Sequence, residues 1–160
     1  MIKILGTTRQ SYFSKLIRKV TKGQISHIAI EIFGLIVVQS NLRGFNIRSS
    51  AYFREHNDII IELIPTFIVK KQEIIDRFDF ITRKYEDSWY DFGAFMFQGI
   101  ALTLRNIFKI PLPKSNLWQS TGMFLCYELV SKIIKKKENP MLTPDKYLEE
   151  LIKSGGWRKI

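Results

Sequence analysis

Between residues 25 and 64 the chain runs in short β-branched stretches broken by Gly and Asn, and beyond residue 71 its apolar residues recur at helical spacing. This change of period constrains the fold most. Strands followed by helices do not make alternating βαβ units; they predict an α+β domain, an antiparallel sheet packed against helices. The predicted strands cover residues 1–5, 25–32, 35–41, 45–48 and 59–64, the last ended by Pro65. The predicted helices cover residues 11–20, 71–83, 92–104, 126–136 and 144–152. Ser11 caps the first, and Thr143-Pro144 opens the last with a cap followed by proline at the first helical position. Prolines make residues 110–114 an extended loop, and Gly155-Gly156 ends the final helix. With 160 residues, 46% of them hydrophobic, the chain fits one domain over residues 1–160 with a core of its own.

The chain has a single cysteine, Cys126, so no internal disulfide framework exists; this fits a reducing compartment. Met1-Ile-Lys-Ile-Leu-Gly6 is too short to be a secretory signal. The longest apolar stretch, residues 92–104, has 13 residues, against the ~20 that span a bilayer. It reads as a buried core helix, with an interfacial membrane helix as the alternative. The expected location is cytoplasmic, or the virion if the source is a phage. The formal net charge is +10, concentrated in residues 9–22, 132–137 and 157–159. That excess is either a solubilising face or the contact surface for an anionic partner, such as a cell-wall polymer or a lipid surface. No nucleic-acid recognition motif accompanies it, so sequence-specific nucleic acid is not expected.

Chemistry concentrates in three residues. Cys126 stands where the apolar approach Gly122-Met-Phe-Leu turns into the helical run Cys-Tyr-Glu-Leu-Val130. A thiol at a helix N-terminus meets unsatisfied N–H groups and the positive end of the helix dipole, which favour the nucleophilic thiolate. His27 lies upstream on a predicted strand, Ser26-His-Ile-Ala-Ile-Glu-Ile32. If Ile32, Phe33 and Gly34 form a three-residue hairpin loop, His27 pairs with Gln39 and Ala29 with Val37. Directly opposed residues have Cβ atoms roughly 5 Å apart. Gln39 would then accept the Nδ1 proton of His27 and leave Nε2 to take a proton from the thiol. A two-residue loop would shift the register by one and turn Gln39 away. Small Ala29, on the His27 face, leaves room for the Cys126 helix, and Ile28, Ile30 and Ile32 make the opposite face apolar.

These pieces together resemble the circularly permuted branch of the NlpC-like, papain-fold thiol hydrolases. The matching residues are Ser26-His27-Ile28-Ala29-Ile30, Gln39, and Cys126-Tyr-Glu-Leu-Val130, with Trp89-Tyr90-Asp91-Phe92 before the cysteine and Thr143-Pro144-Asp145 after it. The resemblance implies a permuted papain-like fold with the histidine strand before the cysteine helix. It also implies Cys126 as nucleophile, His27 as general base and acid, and Gln39 as the orienting residue, where relatives often carry Glu or His. The reaction implied is hydrolysis through an acyl-enzyme, on amide bonds such as those of cell-wall peptides. A lipid deacylase or acyltransferase of the same fold at membranes is the first alternative. A non-catalytic basic binding or structural protein is the second.

Other residues have plainer readings. Glu31 competes with Gln39 as the orienting residue, from the hairpin tip. Glu128, two positions after Cys126, points away from the thiol and bonds the N-terminal turn of the helix or a neighbouring loop. His56 reads as a surface loop residue. Tyr85, Trp89, Tyr90, Phe92 and Trp118 serve either the core or a substrate groove. Two histidines and one cysteine without ligand spacing give no metal site, and no glycine-rich phosphate loop is present, so neither metal nor cofactor is expected.

Overall fold

The computed structural model of the chain describes residues 1–85, 87–113, 115–117, 123, 125–136 and 141–160. Trp118, Lys114, Lys137 and the approach residues Gly122 and Phe124, all singled out above, lie outside the described residues. In chain order the elements are β1 (Ile2–Thr8), α1 (Tyr12–Thr21), β2 (His27–Ile32), β3 (Ile36–Asn41), β4 (Gly44–Ser49), α2 (Ser50–Glu55), β5 (Asp58–Pro65), α3 (Lys71–Tyr85), α4 (Phe92–Phe108), α5 (Cys126–Ile134), α6 (Pro144–Lys153) and β6 (Trp157–Lys159). The strands form one sheet in the order β4-β3-β2-β1-β5-β6, with every neighbouring pair antiparallel. The fold is α+β, as the change of period predicts.

The caps carry the helix starts. Ser11 accepts from the Ser14 N–H at 3.2 Å, Asp91 from the Ala94 N–H at 2.7 Å, and Thr143 from the Lys146 N–H at 3.4 Å. The sequence reading misses α2 and β6. At six residues α2 is too short to show a helical period, although Ser49 caps it; β6 has three residues.

Alternation along the strands divides the core in two. On one face Ile28, Ile30, Val38 and Leu63 pack against α5 and α6 through Leu129, Ile133 and Leu148. On the other, Leu5, Ala29 and Val37 pack against Phe53 of α2. This corrects the expected placement of the cysteine helix: α5 lies over the isoleucine face of β2, and Ala29 makes room for α2. The β1–β5 register shifts between Gly6 and Thr7, where Ile60 of β5 is the extra residue, while β1 keeps one register with β2 as far as Thr7 opposite His27.

The β2–β3 hairpin differs from the expectation by two residues. Phe33 (φ 55°) and Gly34 (φ 71°) are both left-handed, and the Leu35 N–H donates to the Ile32 carbonyl at 3.1 Å. Two successive positive φ values are what the tight hairpin turn demands, and glycine adopts the second without steric cost. Ile32 pairs with Ile36 and Ile30 with Val38, a register that sets Gln39 opposite Ala29 and diagonal to His27. A slip of two keeps every side chain on its face, so Gln39 still reaches the histidine.

Helix α4 also departs from expectation. It buries Ala94, Gln98 and Leu102, while Phe92, Met96, Ile100, Leu104, Ile107 and Phe108 are exposed. It is a surface helix with an apolar outer side, not a buried core helix. Among the described residues no helix is long and apolar enough to cross a membrane.

Candidate functional site

The strand that carries His27 is pinned before it begins. Asp145, in the first turn of α6, accepts from the backbone N–H groups of Gln24 at 3.0 Å and Ile25 at 3.3 Å. Beside it a hydroxyl cluster joins three elements: Ser14 of α1 lies 2.5 Å from Ser26 and 3.0 Å from Thr8. His27 is the first residue of β2, and its ring points to the α2 side, 6.5 Å from the Phe53 ring.

Gln39 Oε1 lies 2.8 Å from His27 Nε2. The partnership matches the expectation but the ring is reversed. With the amide oxygen accepting, Nε2 holds the proton and Nδ1 carries the free lone pair. Burial lowers the His27 pKa to about 4; the Gln39 bond opposes that shift and the Arg9 charge adds to it. At neutral pH the ring is an uncharged base. Glu31, the competing orienting residue, is bound elsewhere. It accepts from Arg54 Nε and Nη2, each at 3.0 Å, and from the Ser50 hydroxyl.

Cys126 opens α5 behind Leu125, which has no side-chain oxygen to cap the helix. Glu128 Oε2 turns back to the Leu125 N–H at 2.8 Å, as the sequence suggests. The N–H groups of Cys126 and Tyr127 are thereby left for the sulfur, and the Ile28 N–H of β2 joins them. These three donors favour a thiolate, but burial outweighs them and the nearby Glu128 charge adds to it. The thiol is pushed up to about 11. The expected thiolate is therefore absent at rest, because Cys126 is only 5% exposed within the core cluster.

His27 and Cys126 thus meet the same strand from its two sides. The sulfur is received by the backbone of Ile28, the residue after the histidine, and among the described residues no hydrogen bond joins sulfur and ring. A cavity of about 430 Å³ opens beside His27 and Gln39; Cys126 is not among its lining residues. Tyr90 links the two environments. It lines the cavity, and its hydroxyl is held well above its ordinary pKa, first by burial and then by the neighbouring acidic groups of Cys126, Glu128 and Asp91. Gly44 brings this segment in close: it has φ 86°, and a side chain there would strike the Ser88 carbonyl, to which the Phe45 N–H is bonded at 3.0 Å.

Of the other aromatics, Trp89 and Phe92 are exposed, and Tyr85 packs against the core. His56 stacks on Tyr52 at 4.0 Å, away from the ring of His27. Sequence reasoning missed Arg9, Asn46, Tyr52 and Phe53 as cavity wall. The serine cap at Ser49 was the one local signal for α2, which supplies two of them. Among the described residues no group of three His, Cys, Asp or Glu is placed to hold a metal ion.

Comparison of the chain with family models, curated proteins and solved structures finds no match in any of the three.

Proposed function

We propose that the protein is a cysteine hydrolase acting through an acyl-enzyme on amide bonds, with the permuted NlpC-like arrangement that its motifs resemble. The observation that carries this reading is the seat of the sulfur. Cys126 lies at an uncapped helix start, facing three backbone N–H groups, one of them next in chain to a histidine whose far nitrogen is held by Gln39. In the reaction His27 Nδ1 takes the thiol proton as the sulfur–carbon bond forms. It then gives that proton to the leaving amine as the carbon–nitrogen bond breaks. Water cleaves the thioester, releases the acid and restores the thiol. N–H groups at the helix start suit the developing oxyanion. Both partners are neutral at rest, so turnover includes uncovering the sulfur towards the cavity.

A second reading, a non-catalytic binding protein, draws on the same coordinates: the sulfur is buried and does not line the cavity. A peptidyl acyloxymethyl ketone separates the two. The hydrolase forms one adduct on Cys126 by intact mass, and His27→Ala slows its formation at least tenfold. Equal labelling of wild type and His27→Ala, at the rate of a buried thiol, overturns the hydrolase. The lipid-directed alternative draws on the exposed apolar side of α4. It requires co-sedimentation with anionic vesicles that is lost in Ile100→Glu.

A further inference from the structure

The cavity beside His27 has a charge pattern that the hydrolase reading does not use. Arg9, Arg43 and Arg48 line it, and among the described residues no aspartate or glutamate does. None of the three is paired with a carboxylate among the described residues, whereas Lys3, Arg54, Arg77, Arg83 and Lys136 all are. Arg9 is aimed rather than loose. Its Nε donates to Asn57 Oδ1 at 2.6 Å, and buried Asn57 is in turn fixed by donating to the Phe53 carbonyl at 2.6 Å. That leaves both terminal nitrogens of Arg9 without a partner among the described residues. Arg48 lies over the Tyr52 ring, 5.8 Å from its centre. On the same wall the Oδ1 of Asn46 is buried with no donor. An unpartnered buried acceptor calls for an N–H from outside the chain, and guanidinium forks match a carboxylate.

We propose that this cavity binds the carboxylate-bearing end of a peptide-like substrate, with Arg9, Arg43 and Arg48 holding the carboxylate and Asn46 accepting an amide N–H of the same ligand. The assignment deepens the hydrolase reading by naming its substrate class. It favours an acidic peptide over a lipid acyl chain, because the strongly apolar groove lies elsewhere, between α1 and α4 around Leu16, Val20 and Ile100.

The test is an NMR shift titration of the whole protein with three probes: N-acetyl-alanyl-alanine with a free carboxylate, its C-terminal amide, and inorganic phosphate. The free acid is expected to bind at least tenfold more tightly than the amide and to shift Asn46 and His27. Arg9→Gln and Arg48→Gln each weaken it about tenfold, while Arg158→Gln, on β6, leaves it unchanged. Asn46→Ala weakens the acid severalfold but not phosphate, and its melting temperature holds or rises, since the change removes an unsatisfied buried atom. A merely structural Asn46 gives the reverse. Equal binding of acid and amide, indifference to both arginine substitutions, or phosphate binding more tightly than the acid overturns the assignment. If the acid binds as stated while Cys126 labelling fails, the site stands and the hydrolase falls. If labelling succeeds while acid and amide bind alike, only the substrate class falls.

Discussion

One face of β2 carries two polar residues four positions apart, and their surroundings could hardly differ more. At the hairpin end Glu31 meets Arg54, which also holds Glu62 at 2.7 Å, and Lys3 meets Glu62 at 2.9 Å. Every charge in that group has its opposite within the chain. At the other end His27 is neutral, its partner Gln39 is neutral, and the nearby arginines have no acid among the described residues. The closed network holds the sheet together; the open end leaves its binding capacity for something that is not part of the chain. Glu31 is buried and is tolerated there because it is paired, whereas Arg9, Arg43 and Arg48 are exposed and, among the described residues, unpaired, and are gathered on one cavity wall.

The comparison breaks most sharply under substitution. Arg54→Met leaves Glu31, whose side chain is 3% exposed, without its main partner, and is expected to destabilise the protein by about 3 kcal/mol in urea unfolding. Arg9→Gln, at the open end, loses only the bond to Asn57 and is expected to cost about 1 kcal/mol. Similar losses from the two would remove the distinction.

Acid separates the ends next. The folded His27 pKa of about 4 lies below the ordinary 6.5, so the unfolded chain takes up the proton first. Stability from this group is complete above pH 6.5 and falls as the pH drops towards 4, by at most about 3 kcal/mol. Glu62 is lowered to about 2, first by its Arg54 bond. For Glu31 burial pulls upward, but the bonds from Arg54 and Ser50 outweigh it and its pKa is lowered. The carboxylate contribution is therefore complete above pH 4.5 and lost towards pH 2. Urea midpoints across pH 7 to 2 should show two steps, with His27→Ala erasing the upper and Arg54→Met the lower. A single step in wild type would contradict this division.

A local effect is expected at Gln39. Gln39→Ala leaves the buried Nε2–H without an acceptor, for a loss of about 1–2 kcal/mol. Gln39→Glu instead places a carboxylate beside the ring and raises the histidine pKa, readable from the ring-proton NMR titration. An unchanged titration would mean that the 2.8 Å contact does not hold the ring in solution.

The sequence carried much of this, unevenly. The helices at 11–20 and 71–83 and the cap-proline start at Thr143-Pro144 are legible because their signals are local and repeated. The His27–Gln39 partnership is legible for a subtler reason: a slip of two preserves the face, so an error in register did not become an error in contact. The placement of α5 was not legible. Which helix covers which side of a sheet depends on long-range packing, and Ala29 accommodates α2 as readily as it would α5. Nor was the state of the thiol, since a helix start promises a thiolate only where water or a cation accompanies it, and neither the 5% exposure of Cys126 nor the approach of Glu128 is written in the local pattern.

The bonds from Asp145 to the backbone at Gln24 and Ile25 have a consequence for biosynthesis. Translation proceeds from the N-terminus, so residue 27 is made before the anchor of its strand, which leaves the ribosome more than a hundred residues later. Cys126, the proposed nucleophile, is already synthesised by then. A nascent chain arrested before α6 therefore holds both His27 and Cys126 while the loop leading to the imidazole still lacks its Asp145 anchor.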